Sequence, residues 1–551
     1  MNEMLPGSGG PPPREITLAD QERIVAALAQ RIRAGGGAEG AGAVNVVQSH
    51  ISFVLLAGGH ACKLRKALNL GFLDFSTLAA RRFDCEEELR LNRRLAPALY
   101  LGVVPITGSI IQPEFGGDGP VLDWAVRMRA FPQDAQWDHA VAQGRLEPHH
   151  IDELASVLWP FHRDAPQYAG PESGTDGQGF GRPTGVRAPV LECLGALRTR
   201  PGSEADGARV AELMRWEAQA FRALHGALAR RAHAGFIREV HGDLHLGNVT
   251  QLDGRCTVFD CIEFSPALRW IDVMSDVAFM AMDLHSHGRA DLAHRFVNAY
   301  LERSGDHAGV RLLRYYMVYR ALVRAKVAAL RAAQLAAGDA ATAPAGADRV
   351  ASVAAISRYL KVAIELSHPP RPTLMLTHGF SGSGKTTASQ DLLERCGAIR
   401  VRADVERKRL FGLAANARSD AAMNAKLYSA GATDATHECL RKAARVALRS
   451  GFSVILDATF LDRAPRVQAR ALAESLGVGF VIIDFPVDVP TLRERVRLRT
   501  ARADDASDAD LAVLESQLAH ARPLCPDEQA AVFTFRGDWE PLVDNRTRSN
   551  S

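Results

Sequence analysis

Residues 374–396 read LMLTHGFSGSGKTTASQDLLERC, and their order decides the fold of the C-terminal part of the chain. LMLTH has strand character, a glycine-rich turn follows, and TASQDLLERC continues as a helix. Gly379 and Gly384-Lys385-Thr386 stand at the spacing G-x-x-x-x-G-K-[ST]. The glycines, with Ser381, Gly382, Ser383 and Thr387, let backbone N–H groups wrap phosphates at a helix N-terminus. Lys385 then reaches the β/γ oxygens and Thr386 holds magnesium.

Around this stretch the texture alternates. IRVRA, FSVILD, FVIIDF and AVFTF read as strands with helices between them, which predicts a parallel sheet with helices on both faces. Asp404 ends the strand IRVRA, with Arg402 and Arg407 around it. Asp457 ends FSVILD beside the phosphate loop and suits the magnesium shell. Arg495, Arg499 and Arg502 are spaced four and three apart, so one helix face carries them. They read as a lid over the transferred phosphate or as a solvated basic face.

Upstream, residues 241–260 read HGDLHLGNVTQLDGRCTVFD. His241-x-Asp243-Leu-x-x-x-Asn248 has the spacing of the protein-kinase catalytic loop, with Gly242 where those enzymes have Arg, and Asp260 ends the next strand. Phosphoryl transfer needs a carboxylate beside the acceptor hydroxyl, plus a carboxamide and a second carboxylate for metal. Further upstream, HISFVLLAGGHACKLRKAL reads as a hairpin around Gly58-Gly59. Ser76 is the expected cap of the helix after it, which carries Glu86-Glu87-Glu88. Lysine fills only eight of the 66 basic positions, so Lys63 and Lys66 on this hairpin stand out. On a strand they face opposite ways. Only one of them can point into a phosphate site, and the pattern alone leaves open which.

These motifs resemble the aminoglycoside phosphotransferase-like kinases, whose loop has the form HGDxHxxN, in a bacterial branch where that domain is fused to a P-loop kinase domain. RRFDCEEELRLNRRLAPALYLGVVPI (81–106) adds to the resemblance. It implies two domains, one protein-kinase-like and bilobal, the other a P-loop NTPase sheet, so the fold class is α/β with α+β. It implies Asp243 and Asp404 as catalytic carboxylates, and Lys63, Glu88, residues 379 and 381–387 and Arg499 as nucleotide contacts. Asn248, Asp260, Thr386 and Asp457 would bind Mg2+. Thr459 and Arg466 would touch substrate. Asp272 and Asp276 are expected to be structural or supporting.

The expected partition is a tail over 1–18, a kinase-like domain over 19–366 with its small lobe to about 131, a linker over 367–373, a P-loop domain over 374–540 and a tail over 541–551. A chain of 551 residues carries two or three cores. Net charge is +3, too weak to argue for nucleic acid, and aromatics are 7%, too sparse for base-stacking. No run of about twenty apolar residues spans a membrane. Eight cysteines lack a CxxC pair, as expected of thiols in a reducing compartment. The expectation is a cytoplasmic, ATP- and Mg2+-dependent kinase acting on a hydroxyl of a small molecule. Two rivals are an ATP-binding regulator with one or both domains silent, and a nucleic-acid-end kinase in the C-terminal domain. The acceptor and the oligomeric state are not legible.

Overall fold

The structure is a computed structural model that describes residues 15–35, 44–49, 51–69, 71, 73–168, 170, 179–200, 202–337, 343–415, 417, 421–502 and 509–542. Most of the two expected tails lies outside the described residues. Compactness divides the chain into two units. One is Met1–Ala140 with His241–Asp243 and Gly247–Arg269, and the other is Val141–Val240 with Leu244–Leu246 and Trp270–Ser551.

The first unit holds β1 (Asn45–Gln48), β2 (Ser52–Ala57), β3 (His60–Arg65), β4 (Tyr100–Ser109), β5 (Gln112–Phe115) and β6 (Val121–Arg129), an antiparallel sheet in the order β1-β2-β3-β6-β4-β5. Alternation sorts its faces. Phe53 and Leu55 of β2 lie opposite Leu64 and Cys62 of β3, and all four are buried against Ile24, Val25 and Leu28 of helix Leu18–Arg33. Each such side chain contributes about 1.5–3 kcal/mol of burial. Lys63, which pairs with Val54 and Val126, therefore faces the other way, toward helix Leu78–Asn92. Ser76 is not the cap of that helix. Thr77 Oγ1 accepts from Ala80 N at 3.1 Å, while Ser76 Oγ donates to Asp74 at 2.6 Å. Both residues are N-cap types, and the chain enters the helix one residue later than expected.

The second unit begins with long helices, among them Pro148–Asp164, Glu204–His233, Val273–Ser286, Ala290–Ser304 and Val310–Ala337. A short ladder pairs β7 (Ile237–Glu239) with β10 (Trp270–Asp272); the hairpin β8 (Val249–Leu252) and β9 (Arg255–Val258) belongs to the first unit. Then come β11 (Thr373–His378), β12 (Ile399–Arg402), β13 (Val454–Asp457), β14 (Gly479–Asp484) and β15 (Val532–Thr534), all parallel in the order β12-β13-β11-β14-β15. Met375, Ile455 and Ile483 meet Leu392 and Leu393 of helix Lys385–Cys396 on one face. Helices Ala430–Arg449 and Arg463–Leu476 also pack on the sheet. The glycine-rich loop leaves the carboxyl end of the central strand, where open parallel sheets form their crevices. Among the described residues, no helix is long and apolar enough to cross a membrane.

Candidate functional site

In the first unit the loop after Val240 is built around His241. Its Nδ1 accepts from Asp243 N at 3.2 Å, so Nε2 carries the proton and donates to Phe259 O at 2.8 Å. The imidazole thus ties the start of the loop to the strand end that presents Asp260. Asn248 Nδ2 donates to Asp243 O at 3.0 Å and to its Oδ2 at 3.3 Å, which sets the orientation of both side chains. Gly242 has φ +84°, and a Cβ there would meet Leu268 O at 2.6 Å. No other residue fits, which accounts for glycine where protein kinases carry arginine.

Asp260 is one of the few non-glycine residues in the left-handed region, at φ +63°. That turn aims its carboxylate at Lys63, whose Nζ lies 2.8 Å from Asp260 Oδ1 and 2.9 Å from Glu88 Oε1. Burial works against the ammonium, but Asp260 and Glu88 outweigh it and hold its pKa above the ordinary lysine value. Burial likewise opposes the Asp260 charge, and Lys63 overcomes it, pulling that carboxyl below its usual range. Lys66 lies past the strand end, over the Phe53 ring at 4.6 Å.

Sequence reasoning missed Arg65. It shares the Lys63 face, is buried, and donates to Asp84 at 2.5 Å, to Glu88 Oε2 at 2.6 Å and to Glu263. The available signal was its position two residues after Lys63 on one strand. Asp272 accepts from Met274 N as the cap of helix Val273–Ser286 and pairs with Arg231, while Asp276 is buried beside His162. Both stand in the helical framework.

In the second unit the glycine-rich loop lines a cavity of about 520 Å³ through Ser381, Gly382, Gly384, Lys385, Thr386 and Thr387. Asp404, Asp457, Thr459 and Arg499 line the same space, with Arg402, Arg407, His437 and Gln517. Gly379 has φ +146°, and a Cβ would sit 3.0 Å from Ser383 Oγ and 3.1 Å from Phe485 O; it makes the tight entry to the loop. Lys385 Nζ donates to Gly379 O, Phe380 O and Ser383 Oγ at 2.9, 2.6 and 3.3 Å. Burial pulls its pKa down to about 8 against the opposing pull of Asp457 and Asp404. Gln517, which carried no sequence signal, accepts from Ser381 N at 2.9 Å.

Asp404 Oδ1 accepts from Arg407 Nη1 at 2.7 Å, and the Arg407 guanidinium lies 4.7 Å from the Tyr428 ring centroid. Burial, then Arg407 and Arg441, push His437 down to about 4, so it is a neutral imidazole near pH 7. Arg499 Nη2 donates to Ala509 O at 2.6 Å and Arg495 Nη1 to Gly382 O at 3.4 Å. The Arg502 side chain lies outside the described residues. Arg466 does not face the cavity. It is buried, pairs with both oxygens of Glu528 at 2.8 and 2.9 Å, and donates to Phe460 and Leu461 carbonyls. Its sequence context resembled a substrate contact, but the long side chain turns inward to brace the chain after Asp457.

The first assembly is that of a kinase-like phosphotransferase fold, and the second is that of a P-loop fold. Comparison with known proteins gives the same two classes. Residues 79–313 match the Phosphotransferase enzyme family, and residues 374–524 match the AAA domain. The chain is 31% identical over 477 residues to the uncharacterized protein Rv2004c of Mycobacterium tuberculosis (strain H37Rv), covering 86% of this chain and 90% of the relative. An uncharacterized protein of Mycobacterium bovis matches to the same extent, 31% over 477 residues. The chain belongs to this family, in which a phosphotransferase domain is fused to an AAA-type P-loop kinase domain. Among solved structures, a choline/ethanolamine kinase family protein from Mesorhizobium loti aligns at 14% identity with a TM-score of 0.34, over 63% of this chain and 99% of that one.

Proposed function

We propose that the chain is a kinase that moves the γ-phosphoryl group of Mg-ATP to a hydroxyl of a small molecule, with a nucleotide centre in each of two domains, 19–366 and 374–540, joined by 367–373. The observation that carries the reading is convergence. Lys385 and Thr386 open helix Lys385–Cys396, Asp457 ends β13, and Asp404, expected to end a strand, lies instead in the first turn of helix Ala403–Leu410; all four line one cavity. A phosphate grip, cation ligands and a carboxylate base in one space are the parts that phosphoryl transfer requires.

In this reading Asp404 and Asp243 orient an acceptor hydroxyl and take its proton, a role worth about 10²–10⁴-fold in rate. Lys385 and the loop N–H groups hold phosphates in the second domain, and Arg499 covers them. Lys63, steadied by Glu88, does so in the first. Magnesium suits the donors present. Asp457 Oδ2 is buried without a hydrogen-bond partner among the described residues, and with the Thr386 hydroxyl it forms the all-oxygen set a hard cation takes. Asn248 and Asp260 are the corresponding pair in the first domain. The ion, when bound, neutralises phosphate charge. A cytoplasmic location and a small-molecule partner, not nucleic acid, complete the reading.

The test is magnesium-dependent ATP consumption by the full chain against pooled sugars, amino alcohols, aminoglycosides and nucleosides, in the parent, Asp243→Ala and Lys385→Ala. Acceptor-stimulated turnover lost in one variant assigns the chemistry to that domain. Tight ATP binding with no turnover on any pool would favour a nucleotide-dependent regulator.

A further inference from the structure

Several buried arginines of this chain meet carboxylates: Arg81 pairs with Asp123, Arg231 with Asp272 and Asp306, and Arg466 with Glu528. Arg314 of helix Val310–Ala337 does not. Its Nη1 donates to Leu366 O at 3.0 Å, its Nη2 donates to Gly451 O at 3.3 Å, and the guanidinium lies 4.4 Å from the Phe452 ring centroid. Nε is buried without a hydrogen-bond partner among the described residues. Burial, with no carboxylate opposing it, pulls the Arg314 pKa down to about 10. A desolvated cation without a counter-charge is unfavourable, and an anion beside it offsets that cost.

Arg314 also lines a cavity of about 550 Å³ in the second unit, a volume that suits a nucleotide-sized molecule. Helix Glu204–His233 contributes Trp216 and Leu224, helix Val310–Ala337 contributes Arg311 with Arg314, and helix Ala430–Arg449 contributes Arg445 and Arg449. Residues 311 and 314 are three apart and 445 and 449 four apart, so each pair shares one helix face. Trp216 stacks on the buried Tyr315 with ring centroids 6.1 Å apart, and gives the groove an apolar wall. Among the described residues that line it, none is a carboxylate. Glu438, whose charge Arg445 also reaches, pairs with Arg441 at 2.6 Å.

Four guanidiniums around one space repel one another until an anion enters, and their planar forks match phosphate oxygens. The two nucleotide centres are built differently. There Asp260, Asp404 and Asp457 stand beside the phosphate-binding lysines and suit a metal ion; here the cations have no such companion. We propose that this groove binds a small molecule bearing a di- or triphosphate group, held by Arg311, Arg314, Arg445 and Arg449 without a metal ion and apart from both nucleotide centres. Inorganic and nucleoside polyphosphates share that chemistry. Trp216 separates them, since only a base can stack on the indole.

The experiment titrates inorganic tripolyphosphate, and separately ADP, into the full chain carrying Lys63→Ala and Lys385→Ala, in EDTA, by calorimetry. One site per chain is expected. Arg445→Gln with Arg449→Gln, both at exposed positions, should weaken tripolyphosphate binding about tenfold or more, since each change removes a charge-assisted hydrogen bond. Arg222→Gln with Lys442→Gln neutralises two exposed charges outside the groove on the same helices, and should leave affinity within about twofold. Excess magnesium should weaken binding, because it takes up phosphate charge and no lining carboxylate holds it. Tighter binding of ADP than of tripolyphosphate identifies a nucleoside ligand, and Trp216→Leu should then remove the difference; equal or weaker binding of ADP identifies the phosphate chain alone. The proposal is overturned by no binding of either probe at about 1 mM, by an equal loss in the control pair, or by a requirement for magnesium. A single-stranded oligonucleotide that binds through Arg445 and Arg449 more tightly than either probe also overturns it, and makes the groove a nucleic-acid surface.

Discussion

Lys63 and Arg65, two residues apart on one strand, hold opposite oxygens of Glu88: Lys63 Nζ lies 2.9 Å from Oε1 and Arg65 Nη2 lies 2.6 Å from Oε2. The two cations look equivalent but occupy different surroundings. Arg65 faces Asp84 and Glu263 as well, all buried, whereas Lys63 reaches out to the half-exposed Asp260. Arg65→Met leaves three buried carboxylates around an apolar side chain, and the loss of one partner from such a group costs about 3–5 kcal/mol. Urea unfolding should show that loss. Lys63→Ala should leave the midpoint much closer to the parent, since Arg65 still serves Glu88, and should weaken nucleotide binding instead.

The pKa of Lys385 predicts how nucleotide binding responds to pH. With the amine lowered to about 8 by burial, it is charged below pH 8 and neutral above it in the empty loop. An incoming triphosphate favours the ammonium, so binding takes up a proton above that pH. Affinity should be flat from pH 6.5 to about 7.5 and then fall toward tenfold per pH unit. Lys385→Arg, charged throughout, should lose both the affinity and the slope. A fluorescent ATP analogue titrated from pH 6.5 to 9.5 reads the curve; no slope in the parent counts against the lysine as the phosphate grip.

What the sequence revealed of these sites was local. The loop 379–387 and the loop 241–248 are short, and their spacing alone encodes which groups converge, so both folds were legible from a few residues. Strand alternation left open whether Lys63 or Lys66 faces the site, and the strand ends at Arg65, one residue before Lys66. Contacts across long stretches left no pattern. Glu302 Oε1 accepts from Arg402 Nη1 at 2.9 Å, yet the two lie a hundred residues apart on a helix and a strand, and nothing in AYLERSG marks a glutamate that will face a P-loop sheet. Arg466 misled for the converse reason: its position resembled a substrate residue, and only packing shows that its partner is Glu528. In an arginine-rich chain, charge identifies few roles until burial is known.

Asp404 and Asp457 line one cavity, yet the proposed roles separate them kinetically. Asp404→Asn removes a base and keeps the shape, so turnover should fall about 10²–10⁴-fold with nucleotide affinity held. Asp457→Asn weakens a metal ligand, so the magnesium requirement should rise while saturating magnesium restores part of the rate. A full rate for Asp404→Asn at any acceptor concentration rules out its role as base.

Arg466 and Glu528 make the clearest prediction about stability. Hydrogen bonds from Arg466 pull the Glu528 carboxyl down to about 2, with burial opposing and Cys525 N adding to the pull. The folded pKa lies below that of a free glutamate, near 4.5, so the unfolded chain binds more protons between those values. The pair's contribution is fully present above pH 4.5 and is lost as pH falls toward 2. Arg466→Met leaves Glu528 buried without its guanidinium and should cost about 3–5 kcal/mol at pH 7. Adding Glu528→Gln should recover part of that loss. Acid unfolding of the double variant should lack the component between pH 4.5 and 2. Nucleotide affinity of the protein that remains folded should match the parent, because the pair braces the chain behind the cavity without facing it; a selective loss of affinity at unchanged stability would return Arg466 to the binding site.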